Sequence, residues 1–164
     1  NENQKKYQCF IANDNSTGQI VLSGMNKDLD ALTEDLKKNT IKNIRLAVSA
    51  PFHSKLMSSA TEIMKQEINQ SNFIHPKNTI ISNVTSLETT EPNQIKDLLI
   101  KQIENPVRWR ESVIYMINKG VTKFVEIGPG KVLSGLVKRI DRSVSIVSIN
   151  ELDDLQGVKL NDWF

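Results

Sequence analysis

Apolar positions recur along this chain in two periods, and the switches between them mark out its elements. Tyr7 to Ala12 and Gln19 to Ser23 are short β-prone runs separated by Asn13-Asp14-Asn15-Ser16-Thr17-Gly18, a dense cluster of turn residues. The pattern predicts an antiparallel hairpin with a long loop. Leu29, Leu32 and Leu36 then repeat at helical spacing behind Asn26, a residue suited to capping, and Ile44 to Val48 reads as a further strand. From Ser54 onward Leu56, Met57, Ala60, Ile63, Met64 and Ile68 keep the helical period, which puts a helix start directly after His53.

Beyond that helix, Thr79 to Val84 is a strand candidate. Pro92 suits the first turn of a helix that carries Ile95, Leu98, Leu99 and Ile103 on one face, and Asn105-Pro106 stops it. A second helix is expected from Trp109 to Asn118, with Val113, Met116 and Ile117 inward and Gly120 ending it. Lys123 to Ile127 reads as a strand, followed by the loop Gly128-Pro129-Gly130, a helix bearing Val132, Leu133, Leu136, Val137 and Ile140, and a β-prone run from Val144 to Ile149. Such alternation predicts the α/β class, with a mainly parallel sheet covered by helices.

Composition narrows the function classes. The 164 residues suffice for one domain or a piece of a larger one. A formal charge of +2, from 21 basic and 19 acidic side chains evenly spread, gives no reason to expect nucleic acid, although a local basic patch for an acidic protein remains open. The single cysteine, Cys9, excludes an internal disulfide framework and a cysteine-based metal site, and reads as a small hydrophobe in a strand. No apolar run is long enough to span a bilayer, and no signal-like segment opens the chain, so a cytoplasmic protein with no membrane partner is expected. The polar opening at Asn1, without methionine, reads as the interior of a longer polypeptide.

The chemistry-bearing candidates are few. His53, within Ser49-Ala50-Pro51-Phe52-His53-Ser54-Lys55-Leu56-Met57, lies at a strand-to-helix junction, where the positive end of a helix dipole favours a neutral ring able to act as a base. The alternative is a partly buried histidine that satisfies a backbone group. His75, in Ile74-His75-Pro76, reads as a loop residue. Glu126-Ile127-Gly128-Pro129-Gly130-Lys131-Val132-Leu133 has the strand, glycine loop and helix order of phosphate sites. It lacks both the P-loop glycine spacing with its hydroxyl after lysine and the third glycine of a dinucleotide fingerprint, so a tight turn is the better reading. Gln102 is the polar member of an apolar helical stripe, near helix-end carbonyls that could orient a histidine. The 13–19 loop could line a polar pocket or be only a turn. No G-x-S-x-G nucleophile elbow occurs in the 164 residues, so a general base is visible without its nucleophile.

Four stretches carry a family resemblance: Asn13 to Gly24 (NDNSTGQIVLSG), Ser49 to Met57 (SAPFHSKLM), Asn105 to Val113 (NPVRWRESV) and Val125 to Ile140 (VEIGPGKVLSGLVKRI). Over about Ala12 to Asn150 the chain resembles the C-terminal half of malonyl-CoA:acyl carrier protein transacylases. The resemblance implies a partial α/β-hydrolase-like acyltransferase fold. Residues 1–48 would be part of a ferredoxin-like small subdomain, and 49–164 the C-terminal part of the large one. It implies that His53, in the P-x-H-x-x-x-M stretch, is the catalytic base, oriented by the backbone carbonyl of Gln102. Asn13 and Asn15 match the N-x-N-S-P-G-Q loop beside the acyl pocket, with Thr17 in place of proline. Asn83 matches the second asparagine of a V-N-N-V strand, with Ser82 in place of the first, and is expected to neighbour the active site. Phe52, before the histidine, matches the residue that the similar acyltransferases of polyketide synthases tend to carry when they select malonyl over methylmalonyl.

The resemblance further implies malonyl-CoA and the phosphopantetheine thiol of acyl carrier protein as substrates and no metal or redox cofactor. Lys131, Lys138, Arg139 and Arg142 become candidates for docking the acidic carrier. The serine of the family's G-H-S-x-G elbow, the arginine for the malonyl carboxylate and the oxyanion-hole glutamine are expected upstream of Asn1, leaving the 164 residues inactive alone. Two alternatives stay open: an acyltransferase domain of a polyketide synthase, and a non-catalytic carrier-binding remnant or subunit.

Overall fold

The structure, a computed structural model, describes residues 6–157. It opens with a β-hairpin, β1 (Phe10–Ser16) and β2 (Gln19–Ser23), followed by α1 (Asn26–Lys38). A single 3-10 turn (Lys55–Met57) leads into α2 (Ser58–Gln70). Then come β3 (Ile80–Ile81), β4 (Glu88–Thr89), α3 (Pro92–Lys101), α4 (Trp109–Asn118), β5 (Lys123–Ile127), α5 (Val132–Ile140), β6 (Ser145–Ile149) and α6 (Leu152–Gly157).

The C-terminal part follows the expected plan. β5 and β6 pair in parallel from Lys123 opposite Ser145 to Ile127 opposite Ile149, and α5 forms the crossover. Val113 of α4, Val137 of α5 and Val144 form the buried core, with Trp109, Phe124 and Ile146 packed around it. Gly120, at φ 92°, takes the left-handed conformation beyond the C-terminus of α4. Pro92 stands in the first turn of α3, where its missing N–H costs no helical bond.

Elsewhere the structure corrects the pattern. The hairpin has no long loop: its strands run to Ser16 and Gln19, so only Thr17 and Gly18 turn, with Gly18 at φ 78°. The polar residues Asn13, Asp14 and Asn15 are strand residues. They are accommodated because β1 bulges, with Ala12 and Asn15 as the extra residues between paired positions. β1 also joins a second segment, Asp14 N–H donating to the Val107 carbonyl (2.9 Å) and Val107 N–H to that of Ala12 (2.8 Å). Cys9 is buried just ahead of β1 rather than within it.

Asn26 does not cap α1. It is the first helical residue, and its side-chain oxygen accepts from the Arg45 guanidinium (2.5 Å). Ile44 to Val48 forms no strand: among the described residues no strand pairs with its backbone, and Ile44 is 76% exposed. Thr79 to Val84 shrinks to the two residues of β3, because the chain turns at once into β4, which carries no sequence signal of its own. Two of the three strand pairs are antiparallel and only β5/β6 is parallel, so the mainly parallel sheet is not found among the described residues. None of their helices is long and apolar enough to cross a membrane.

Candidate active site

His53 sits at φ 58°, in the left-handed region that a non-glycine residue adopts rarely and at a cost. Ser54 holds it there. The Ser54 side chain is almost fully buried, donates to the Pro51 carbonyl (2.7 Å) and accepts from the Leu56 amide (3.3 Å), bridging the chain on both sides of the histidine. The regular helix starts only at Ser58, after the 3-10 turn. Since a dipole acts within the first turn of its helix, the ring's orientation and tautomer are set by its hydrogen bond rather than by α2.

That bond is to the backbone of Gln102, His53 Nδ1 lying 2.9 Å from the Gln102 carbonyl oxygen. A carbonyl only accepts, so Nδ1 carries the proton and the lone pair of the neutral ring falls on Nε2. Gln102 stands at the C-cap of α3, where helix carbonyls have no intrahelical donor, so its oxygen is available to the ring. The carbonyl of the preceding Lys101 is met by the Asn105 side chain (2.7 Å).

Asn83 joins the same group. Its Nδ2 donates to Gln102 Oε1 over 3.4 Å, and its carbonyl accepts from the Arg108 amide at 3.0 Å. Behind Asn83 and Gln102 opens a cleft of about 210 Å³ whose walls are mainly Ile80, Ile81, Ile95, Leu98 and Leu99. His53, Gln102 and Asn83 are thus brought together. Asn13 and Asn15 are tied to this group only through backbone, by way of the β1 bridge to Val107, beside Arg108. Among the described residues their side chains make no hydrogen bond to His53, Gln102 or Asn83. Phe52 lies next to the histidine with 47% of its surface exposed.

Two arginines form a support that sequence reading did not single out. Arg108 donates to the carbonyls of Val84 and Thr85 (both 3.3 Å) and pairs with Glu111. Arg110 grips the Asp14 carboxylate through Nε (3.0 and 3.1 Å) and Nη2 (2.6 Å), fastening β1 to α4. Both arginines lie in one of the resemblance-bearing stretches, but nothing local marks partners so distant in the chain.

The glycine loop before α5 is filled by the protein itself. Glu126 accepts from the amides of Leu133 (3.0 Å) and Ser134 (2.8 Å), placing its own carboxylate where a phosphate would sit. Burial pushes that carboxyl up, and the hydrogen bonds from Ser134 and Leu133 outweigh burial to hold it below the usual carboxylate value. Gly128 and Gly130, at φ 135° and 94°, supply the tight turn expected of them. Of the basic candidates on and around α5, Arg139 donates to Gln19 of β2 (2.5 Å), while Lys131, Lys138 and Arg142 are exposed.

With this geometry in place, known proteins supply the context. The profile of the acyl transferase domain family matches residues 3–152. This chain belongs to that family. Among curated acyltransferase relatives, the malonyl CoA-acyl carrier protein transacylase of Staphylococcus aureus (strain COL) is 43% identical over 152 residues, covering 92% of this chain and 49% of that protein. The transacylase of Bacillus subtilis (strain 168) is 42% identical over 147 residues, or 89% and 46%. The chain therefore spans about half the length of the curated relatives it matches.

Solved acyltransferase structures agree in fold. The malonyl CoA-acyl carrier protein transacylase from Clostridium perfringens superposes with a TM-score of 0.91 at 35% identity, over 99% of this chain and 52% of that one. A type II PKS acyl-carrier protein in complex with its malonyl-transacylase gives 0.89 at 32% identity, over 98% and 52%. The α/β acyltransferase fold is thereby established for this chain.

Proposed function

We propose that this chain carries the general base of a malonyl-CoA:acyl carrier protein transacylase of fatty acid synthesis, acting in the cytoplasm. The carrying observation is the Nδ1 bond from His53 to the Gln102 carbonyl, 2.9 Å long, which leaves Nε2 free to take a proton. In the proposed cycle His53 Nε2 accepts the proton of a serine hydroxyl as that oxygen attacks the malonyl thioester. It returns the proton to the departing CoA sulfur, then takes the proton of the carrier's phosphopantetheine thiol as that sulfur attacks the serine ester, and passes it to the departing serine oxygen, which restores the enzyme. The chemistry requires no metal or redox cofactor.

The nucleophile is assigned to the part of the family's length that this chain does not span, since the 164 residues contain no G-x-S-x-G elbow. Alone, then, the chain is proposed to be inactive. In the same reading residues 1–48 belong to a ferredoxin-like small subdomain and 49–164 to an α/β-hydrolase-like large one. Asn13, Asn15 and Phe52 border the acyl group, and the basic side chains of α5 face the acidic carrier.

The test is a chimera in which this chain replaces the matching half of the S. aureus relative. Malonyl transfer to carrier protein is expected from the chimera and not from the chain alone. His53→Ala should slow acyl-enzyme formation about a hundredfold or more, the usual scale of general-base catalysis. Near-normal acylation by that variant overturns the proposal. Transfer by the chain alone overturns the placing of the nucleophile.

A further inference from the structure

The turn from Ser82 to Leu87 is a rigid frame with one arm. Ser82 N–H donates to the Leu87 carbonyl (3.0 Å), Ser86 N–H to that of Ser82 (2.8 Å), and Val84 N–H to the Ser82 hydroxyl (3.2 Å). Ser86 is buried at φ 58°, a conformation that persists only where neighbours determine it. Those neighbours are supplied by Arg108: its guanidinium caps the carbonyls of Val84 and Thr85, its amide reaches the Asn83 carbonyl, and its own carbonyl accepts from the Ser86 hydroxyl at 3.3 Å. From this frame Asn83 extends its amide to the side chain of Gln102.

Gln102 ends α3 with its own N–H bonded to the Leu98 carbonyl (2.9 Å), while the peptide that bears its carbonyl is tied to α3 only by the longer bond from the Ile103 N–H to the Ile100 carbonyl (3.3 Å), which leaves room for the side chain to act as a further anchor. Its side chain bonds to Asn83 while its carbonyl meets His53, so one residue links the frame to the imidazole. We infer that Asn83 is a positioning residue, which through the Gln102 side chain sets the carbonyl that keeps His53 in its Nδ1–H form. The inference rests on His53 being the base only for its catalytic consequence, because the tautomer is measurable without catalysis.

The experiment uses the full chain with 15N-labelled histidine. The sequence contains two histidines, and His75, whose Nδ1 lies against the Thr90 carbonyl, serves as internal reference. The His53 tautomer ratio is read from the ring nitrogen shifts. Asn83→Ala and Gln102→Ala should each lower the Nδ1–H to Nε2–H ratio of His53 by about three- to tenfold, the worth of one hydrogen bond, and leave His75 unchanged. Gln102→Ala keeps the backbone carbonyl, so its effect isolates the side chain and provides a second route should Asn83→Ala unfold the chain. The double variant should move the ratio no further than either single one, and Asn83→Asp, which exchanges donor and acceptor with the Gln102 amide, should restore it.

An unchanged ratio in folded Asn83→Ala or Gln102→Ala, or additive effects in the double variant, overturns the inference. In the chimera, Asn83→Ala should lower kcat while KM for malonyl-CoA stays constant. Retained transfer in His53→Ala together with a shifted tautomer would sink the functional proposal and leave the positioning role standing.

Discussion

Holding a histidine at φ 58° costs the chain about 1–3 kcal/mol, and the local structure is arranged to hold it there anyway. The Ser54 bridge and the bond to Gln102 are what offset that strain. Stability and catalysis should therefore separate at this position. His53→Gly relieves the left-handed strain that His53→Ala retains, and should be more stable to urea by about 1 kcal/mol, while in the chimera both variants lose transfer alike. Equal stabilities of the two would show that the conformation is not strained in solution. Phe52 offers a second separation. If its ring limits the acyl group, Phe52→Ser in the chimera should raise kcat/KM for methylmalonyl-CoA relative to malonyl-CoA by about tenfold or more, the usual worth of a methyl group in a pocket, and an unchanged ratio removes Phe52 from specificity. His53, Gln102 and Asn83 were legible because each lies in a short motif or stands out from an apolar stripe. The grip of Arg110 on Asp14 was not, because it joins residues 96 positions apart that no periodicity connects.

At the scale of the element, the unit β5-α5-β6 was readable almost to the residue, because its period changes coincide with glycines and each strand is apolar enough to declare itself. The hairpin was readable only in outline. Polar Asn13 to Ser16 look like a loop in sequence, yet bulges and the bridge to Val107 hold them extended. The Glu126 cap of α5 likewise depends on tertiary geometry, and it predicts a pH dependence. The folded-state value of Glu126 lies below the unfolded one, so the carboxylate contributes stability fully above the ordinary carboxylate range and loses it as pH falls through the folded value. Urea unfolding between pH 7 and pH 3 should show this contribution begin to decline below about pH 4.5 and vanish once the carboxyl is protonated in the folded chain as well. Glu126→Gln should cost about 1 kcal/mol at neutral pH, as loss of a good helix cap does, and should lie closer to the unaltered chain in acid. A constant gap between the two at all pH values would mean that the Glu126 charge is not what caps α5.

For the whole molecule the informative feature is apolar surface without cover. Ile44, Leu46 and Val48 alternate as a strand should, but they are exposed and unpaired among the described residues. α2 buries Thr61 and leaves Ile63 65% exposed, and Ile127 at the end of β5 is 80% exposed. The strand expected over Ile44 to Val48 does not form despite the alternation, because a strand requires a neighbour for its backbone as well as a pattern for its side chains. Since the chain spans about half of its curated relatives, the occupant expected on these surfaces is the other half of the family's length. In the chimera, the amides of residues 41–48 should become protected from hydrogen exchange by at least about a hundredfold relative to the isolated chain, as for backbone drawn into a sheet. Leu46→Asp and Ile63→Asp should weaken that protection and lower transfer, yet leave the β5-α5-β6 amides of the isolated chain as protected as before. If 41–48 exchanges equally fast in an active chimera, the exposed alternation is an intrinsic loop and the half contributed by the relative packs elsewhere.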